Sequence, residues 1–302
     1  MTANSIHLLK IIIFPLLALI AFAANSVLCR LALGEDSIDA ASFTVIRLLA
    51  GAAVLYLLIL LNTSKTASDA KGSWSASLML FLYAITFSYA YITLETGTGA
   101  LILFASVQIS MILLSVLSGN RLHTAEWLGI VISCIGFVYL VLPAVKTPSL
   151  TGFILMTTAG IAWGVYSLKG RGTQNPLFDT AYNFIRTIPF IIVLSIFTLY
   201  DAQATPRGIL LAVMSGAIAS GIGYAIWYRA LTGLSATQAA VVQLLVPVIA
   251  AFGGVIFVSE AITLRLVISA IMILGGISIV VIGRYYFIQL RLLNKKEEQQ
   301  PK

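Results

Sequence analysis

Two arginines lie inside long apolar stretches of this chain, where ionisable side chains are rare. Arg47 belongs to the apolar segment 40–61 and Arg186 to the segment 180–200. An arginine at the centre of a membrane helix costs about 2.5–3.5 kcal/mol on insertion scales. Two roles are open: binding or gating an anion, or satisfying backbone carbonyls so that helices hold together. Both arginines lie at the same depth in their segments, and this match favours the structural role.

Aromatic and amide side chains in other apolar segments form a second group of candidates. Tyr83, Phe87 and Tyr91 have i, i+4, i+8 spacing, which puts them on one helix face. Buried amides need partners, and both residue types also serve as inter-helix packing contacts. Together, rings and uncharged amides suit a substrate with an apolar body and a zwitterionic head. The residues that we expect to contact the substrate are Asn25, Tyr91, Gln108, Trp163, Tyr224 and Gln243.

Residues typical of enzymes do not occur at the spacings that catalytic sites need. The sequence has no His-Glu-x-x-His, Gly-x-Ser-x-Gly, P-loop or Gly-x-Gly-x-x-Gly motif. Its two histidines, His7 and His123, lie outside the apolar segments. We therefore expect no enzymatic activity, no metal site and no cofactor. No carboxylate lies in the middle of an apolar segment, so the segments offer no obvious site for a coupling proton or cation.

The composition indicates that lipid is the main solvent of this chain. The 302 residues are 60% hydrophobic and 10% charged, and the mean hydropathy is +1.01. Soluble proteins carry about 25% charged residues. The net charge of +7 is scattered over short loops rather than gathered on one basic face, so nucleic acid is not an expected partner. We expect a monomer whose partners are membrane lipids and a small-molecule substrate.

Ten apolar segments are candidates for membrane-spanning helices, which need about 20 residues each. For the first segment a cleavable signal peptide is an alternative, since Lys10, an apolar run and Ala21-Phe22-Ala23 resemble one. The segments are 11–29, 40–61, 72–94, 96–120, 127–145, 147–168, 180–200, 208–228, 230–259 and 266–283.

The distribution of Lys and Arg predicts the orientation of these segments. With a cytoplasmic N-terminus, twelve of the 18 Lys and Arg residues fall inside, four fall outside, and two lie within segments. Cytoplasmic loops are enriched in these residues, so we place both termini in the cytoplasm. Residues 285–302 then form a cytoplasmic tail, which we expect to be disordered from Arg291 onward. The chain shows no long organellar targeting segment, which favours the inner membrane of a bacterial cell.

The chain contains an internal repeat with an offset of about 139 residues. At this offset Arg47 aligns with Arg186, and pairs in three further segments keep nearly the same spacing. A near-constant offset indicates duplication. Each half has five segments, so the second half enters the membrane from the opposite side, and such inverted repeats place a substrate site between the halves. We predict the two repeats at residues 1–146 and 147–284.

Short motifs occur at defined places along the ten segments. Ala162-Trp163-Gly164 lies in the sixth segment and Lys169 comes directly after that segment, while Arg47 and Arg186 occupy the second and seventh. Further motifs are Ala239-Ala240 before Leu245-Val246-Pro247-Val248, then Ser259-Glu260-Ala261-Ile262-Thr263, and Gly275-Gly276. Over nearly the whole chain, this pattern resembles the EamA-type ten-helix exporters of the drug/metabolite transporter superfamily.

The resemblance implies that the first four helices of each half surround a central site, while the fifth packs outside. It also implies export of small metabolites by alternating access, and aromatic or neutral amino acid exporters are the most similar members. The first half departs from the pattern at Ala24-Asn25, Gln108 and Asn120. The alternatives are a membrane protein that does not transport, such as a lipid-handling enzyme or assembly subunit, or a transporter of sugar phosphates or cationic drugs.

Overall fold

The structure is a computed structural model that describes residues 12–61, 72–117, 124–141, 149–170, 175–231 and 242–298. Within these ranges the regular secondary structure is helical and contains no β-strand. The helices are α1 (Phe14–Leu33), α2 (Ala40–Leu61), α3 (Trp74–Ala90), α4 (Thr96–Leu117), α5 (Thr124–Val141), α6 (Leu150–Lys169), α7 (Pro176–Asp201), α8 (Pro206–Ala230), α9 (Val246–Val258) and α10 (Leu264–Glu298).

Seven of the described helices are long and apolar enough to cross a membrane, and α3, α5 and α9 are shorter apolar helices. In lipid, every backbone N–H and C=O must be paired within the protein, and a helix pairs them internally. The chain is therefore an all-α, multi-pass membrane protein. This confirms the helical fold class predicted from the sequence.

Most helix ends lie within about four residues of the predicted segments, with two exceptions. The ninth segment was predicted from residue 230, but α9 begins at Val246, and residues 232–241 lie outside the described ranges. The last helix continues to Glu298, so the part of the tail from Arg291 to Glu298 is helical where disorder was expected. Leu, Arg, Lys and Glu in this stretch are strong helix formers, which accounts for the difference.

Two helices have irregular centres. In α7 an α-helical part ends at Ile185 and a second begins at Ile188. Pro189 explains this break, because it lacks the N–H that would bond the carbonyl of Ile185 and its ring crowds that carbonyl. In α8 a π-helical segment, Ser215–Ile222, separates two α-helical parts. Such wide turns are rare and are often found at functional sites.

Helices of the first half pack mainly against helices of the second half. The α6 helix packs against both α3 and α4, the centre of α8 packs against α2, and α1 packs against α8 and α9. A Cβ on Gly216 would collide with the backbone carbonyl oxygen of Arg47, so glycine is needed for α8 to approach α2 this closely. The α5 helix packs mostly against α10, away from this centre.

Candidate functional site

A narrow cavity lies where α1, α3, α4, α6 and α8 meet. Its volume is about 20 Å³, which is room for about one water molecule. Aromatic rings and two amides dominate its wall, and neither α5 nor α10 contributes to it among the described residues. The wall side chains that matter below are Phe22, Asn25, Tyr83, Phe87, Trp163, Tyr224 and Gln243.

The structure brings four of the six predicted substrate-contacting residues together on this wall. They are Asn25, Trp163, Tyr224 and Gln243. The other two lie beside the cavity rather than on its wall. Tyr91 is fully buried one turn beyond Phe87, and its hydroxyl donates to the carbonyl oxygen of Thr96 at 3.3 Å. Gln108 is buried on α4, one turn beyond Phe104, which lines the cavity.

Trp163 packs against three tyrosine rings, two of which, Tyr83 and Tyr224, also line the cavity. Its centroid lies 4.9 Å from that of Tyr83, 5.1 Å from that of Tyr224 and 5.3 Å from that of Tyr166. These separations are in the range of favourable aromatic pairs. Tyr83 and Tyr224 are each 5% exposed, whereas Trp163 is half-buried. Part of the indole surface is therefore left uncovered for another apolar group.

Tyr83 and Phe87 also line the cavity, although their spacing predicted only a shared helix face and not a place in the site. The two ring centroids are 5.3 Å apart, and that of Phe87 is 4.8 Å from that of Tyr91. The shared face of α3 is thus confirmed. Aromatic i, i+4 spacing was the available signal, but spacing alone cannot tell whether a face points toward a cavity or toward lipid. Phe22, three residues before Asn25, gave no comparable signal.

Asn25 joins three helices beside the cavity. Its Nδ2 donates to the Tyr83 hydroxyl at 3.4 Å, and its Oδ1 accepts from the Ser215 hydroxyl at 2.5 Å. The same Tyr83 hydroxyl accepts from Arg47 Nη2 at 2.9 Å. Asn25 is only 5% exposed, so these bonds offset the cost of burying its amide. The result is a polar network that links α1, α2, α3 and the π segment of α8.

Arg47 and Arg186 lie in different surroundings despite their matched depth in the sequence. Arg47 is 1% exposed, and its Cζ lies 4.7 Å from the Phe87 ring centroid and 5.2 Å from that of Tyr83. Arg186 is half-buried at the break in α7, with its Cζ 5.6 Å from the centroid of Trp74. Equal depth in the two apolar segments therefore does not give the two arginines equivalent environments.

Hydrogen bonds join the halves at the beginnings of α2 and α8. Asp39 Oδ2 accepts from the Gln203 N–H at 2.9 Å, Gln203 O accepts from the Asp39 N–H at 2.8 Å, and Ser37 O accepts from the Thr205 N–H at 2.9 Å. We call this set the Asp39 clasp.

Burial acts to raise the pKa of Asp39, but hydrogen bonds from Ser42 and the Gln203 N–H outweigh it and hold the pKa below its usual range.

A second set of hydrogen bonds joins the halves at the beginnings of α3 and α7. Asp179 Oδ1 accepts from the Gly72 N–H at 2.8 Å, and Asn183 Oδ1 accepts from the Ser73 N–H at 2.9 Å. We call this set the Asp179 clasp.

The two clasps lie at opposite ends of the bundle. Thr44, near the beginning of α2, bonds to Ser88, near the end of α3, at 2.8 Å. The two helices are therefore antiparallel, and the beginning of α3 lies beside the end of α2.

An ion pair adds to the connections at the end of α1. Arg30 Nε lies 3.2 Å from Glu260 Oε1, and Arg30 Nη1 donates to the carbonyl oxygens of Tyr91 and Ile92 at 3.1 Å each. Glu260 Oε2 accepts from the Thr96 N–H at 2.8 Å. These bonds tie α1 to the loop between α3 and α4 and to the loop between α9 and α10, at the same end as the Asp39 clasp.

The family model that matches this sequence is that of the EamA-like transporter family, over residues 150–282. The chain belongs to the EamA-like transporter family. The match covers α6 to α9 and most of α10 in this EamA-like protein, the part in which the motifs are most complete. Of those motifs, Ala239-Ala240 lies outside the described residues.

Relatives of the EamA-like chain occur in distant organisms. An uncharacterised protein of Pseudomonas aeruginosa is 43% identical over 275 residues, covering 91% of this chain and 96% of that protein. An uncharacterised transporter of Archaeoglobus fulgidus is 26% identical over 196 residues, covering 62% and 68%. The uncharacterised transporter YoaV of Bacillus subtilis is 20% identical over 257 residues, covering 81% and 88%.

A solved crystal structure of another protein shares the fold of this EamA-like chain. The TM-score is 0.61 at 19% identity, and the alignment covers 87% of this chain and 97% of the other. With the family match and the transporter relatives, the chain is a membrane transporter of the drug/metabolite transporter superfamily.

Proposed function

We propose that this EamA-like transporter exports small amphipathic metabolites, above all aromatic or neutral amino acids, across a bacterial inner membrane by alternating access. The observation that carries the proposal is the chemistry of the cavity wall, where Trp163, Tyr83 and Tyr224 surround a space also reached by Asn25 and Gln243. Rings bind an apolar body by stacking and burial. A few placed amides in a mostly apolar pocket fix the orientation of a polar head.

The same wall argues against the other substrate classes. A sugar phosphate carries two negative charges, which several Lys or Arg donors normally neutralise. A cationic drug binds best where a carboxylate is near. Among the described residues that line the cavity there is no Lys, Arg, Asp or Glu. A zwitterion, whose own charges nearly cancel, is the class that fits such a wall.

The two clasps support alternating access between inverted repeats. Each clasp joins a residue below position 147 to one above it, and Asp39 corresponds to Asp179 at nearly the repeat offset. A cavity of about 20 Å³ cannot hold an amino acid, so entry requires one end of the bundle to open. We propose that residues 1–146 and 147–284 are the two repeats, and that both termini, with residues 285–302, are cytoplasmic.

A flux assay with purified protein in liposomes tests the proposal. The panel is labelled phenylalanine and leucine, a hexose phosphate and a lipophilic cation, with protein-free liposomes as the blank. We expect flux of the two amino acids above the blank and none of the other two compounds. Flux of the hexose phosphate or the cation without flux of either amino acid contradicts the proposed substrate class. No flux of any amphipathic metabolite contradicts the proposed function.

A further inference from the structure

One nitrogen of Arg47 has no hydrogen-bond partner although the side chain is buried. Within the described part of the chain Nη1 makes no hydrogen bond, while Nη2 donates to the Tyr83 hydroxyl at 2.9 Å. The guanidinium group stays protonated in proteins, and a buried donor left unpaired is costly. Since almost all buried polar groups are satisfied, this nitrogen requires a specific explanation.

Arg47 also forms no ion pair with a carboxylate of the described residues. The ion pairs Arg30–Glu260 and Arg207–Glu35 do not include it. Described Asp and Glu residues lie in loops or within the first or last turn of a helix, whereas Arg47 lies well inside α2. The charge is therefore buried without an acidic side chain to neutralise it.

Arg47 lies directly behind the cavity wall. The rings of Phe87 and Tyr83, with centroids 4.7 Å and 5.2 Å from its Cζ, both line the cavity. Their faces attract a cation through the ring quadrupole but carry no net charge. Because the cavity is too small for a substrate in this conformation, wall side chains must move when one enters. Movement of the Tyr83 ring would open a path from the cavity to the guanidinium.

We propose that Arg47 binds the carboxylate of the substrate and that Nη1 is the donor reserved for it. The inference rests on the proposed transport of amphipathic metabolites and names the charged group by which they are recognised. A carboxylate can accept two parallel hydrogen bonds from a guanidinium group. It would satisfy Nη1 and neutralise the buried charge in one step. Trp163 and its neighbouring rings then receive the apolar part of the substrate.

The matched depth of the two arginines in the sequence favoured a structural role for both. Arg186 keeps that role, because it is half-buried, lies at the break in α7 and packs over the Trp74 ring. Arg47 differs in being fully buried beside the cavity with an unpaired nitrogen. Arg186 is therefore a suitable control for experiments on Arg47.

The first experiment uses the unaltered protein in liposomes. Uptake of labelled L-phenylalanine is competed with unlabelled L-phenylalanine or with L-phenylalaninamide, which keeps the ring and the ammonium group but lacks the carboxylate. We work at about pH 6, below the usual α-amino pKa of about 8, so both competitors carry the ammonium charge. A hydrogen bond to a charged group is strong. We therefore expect the concentration of the amide that halves uptake to be roughly tenfold or more above that of unlabelled phenylalanine.

The second experiment compares Arg47→Gln and Arg47→Lys with the control Arg186→Gln. Arg47→Gln should reduce the preference for phenylalanine over its amide to near unity, Arg47→Lys should keep part of it, and Arg186→Gln should leave the ratio unchanged. A folded Arg47→Gln protein that keeps the full preference overturns the inference. If Arg47→Gln does not yield folded protein, Arg47→Lys is judged by the same ratio, and an unchanged ratio overturns the inference. Equal competition by the amide, with phenylalanine transported, overturns this inference only. Absence of all amino acid transport overturns the proposed function and this inference with it.

Discussion

Asp39 and Asp179 each accept a hydrogen bond from a backbone N–H in the opposite half of the chain. The donor to Asp39 is Gln203, just before α8, and the donor to Asp179 is Gly72, just before α3. The two carboxylates thus make equivalent bonds at opposite ends of the bundle. This relationship is what two inverted repeats would produce, and it suggests that each end opens by breaking its own clasp.

Loosening one clasp should open the bundle at that end only. The reporter is Ala219→Cys on the cavity wall, in a protein whose Cys29 and Cys134 are replaced by Ser. Asp39→Ala should increase labelling by a membrane-impermeant thiol reagent from one side of oriented vesicles, and Asp179→Ala from the other side. We expect the Asp39 side to be external.

The exposed loop residue Asp36 provides the matched control for this experiment. Asp36→Ala should leave labelling from both sides unchanged. If both clasp variants increase labelling from the same side, the assignment of one clasp to each gate is wrong.

The lowered pKa of Asp39 predicts a definite pH dependence. A carboxylate whose pKa is lower in the folded than in the unfolded state contributes stability above the unfolded value, here about 3.8, and loses it as the pH falls through the folded pKa. The difference in unfolding temperature between the unaltered protein and Asp39→Asn should therefore be constant from about pH 5 to 8 and shrink in stronger acid. A difference that shrinks between pH 6 and 8 would show that this carboxylate titrates higher than the hydrogen bonds indicate.

Trp163→Ala should weaken the transport of aromatic substrates. The loss of ring contacts and of buried apolar area should lower the apparent affinity for phenylalanine roughly tenfold, with a smaller effect on leucine. Transport per folded molecule in liposomes is the measurement. Trp127→Ala is the control, because Trp127 is 55% exposed on α5, away from the cavity. Equal effects of the two variants would remove Trp163 from the site.

Gly216→Ala should destabilise the protein, while Gly275→Ala should not. A Cβ on Gly216 meets the backbone carbonyl of Arg47, and overpacking of this kind costs about 1–3 kcal/mol. A Cβ on Gly275 has no neighbour within 4 Å, and Gly-to-Ala changes at compatible positions stabilise by about 0.4–1 kcal/mol. Thermal unfolding in detergent measures both. Equal unfolding temperatures would mean that α8 does not contact the α2 backbone this closely.

The proposed orientation predicts the outcome of reporter fusions. Reporters placed after Lys65, Arg121, Lys169 and Arg284 should all read as cytoplasmic, since twelve Lys and Arg residues fall on that side and four on the other. Lys65 and Arg121 lie outside the described residues, so these two fusions test positions that rest on the sequence alone. An external signal at two of the four positions contradicts the orientation.

The helices could be located from the sequence because lipid exposure and burial both demand apolar residues. The segment 40–61 coincides with α2 for this reason. The residues of the cavity wall were harder to predict from the sequence. Trp163 and Gln108 are both unusual residues in apolar helices, yet only Trp163 lies on the wall. Which face of a helix points inward depends on its rotation against neighbours, and one sequence does not record that rotation.

The two arginines show the same limit. Their shared depth follows from their positions in the two apolar segments, which can be read from the sequence. Their different partners, Tyr83 and Phe87 for one and Trp74 for the other, come from contacts with other helices. A pattern within one segment cannot specify such partners.

The π-helical segment Ser215–Ile222 sets the angular position of everything that follows it on α8. Each residue added to or removed from a helix turns the following side chains by about 100° around its axis. Tyr224 comes two residues after this segment and faces the cavity. Deleting one residue from the segment would preserve the composition and hydropathy of α8 almost unchanged, yet it would rotate Tyr224 away from Trp163. The wide turns therefore set the angle by which the second α-helical part of α8 is rotated relative to the first.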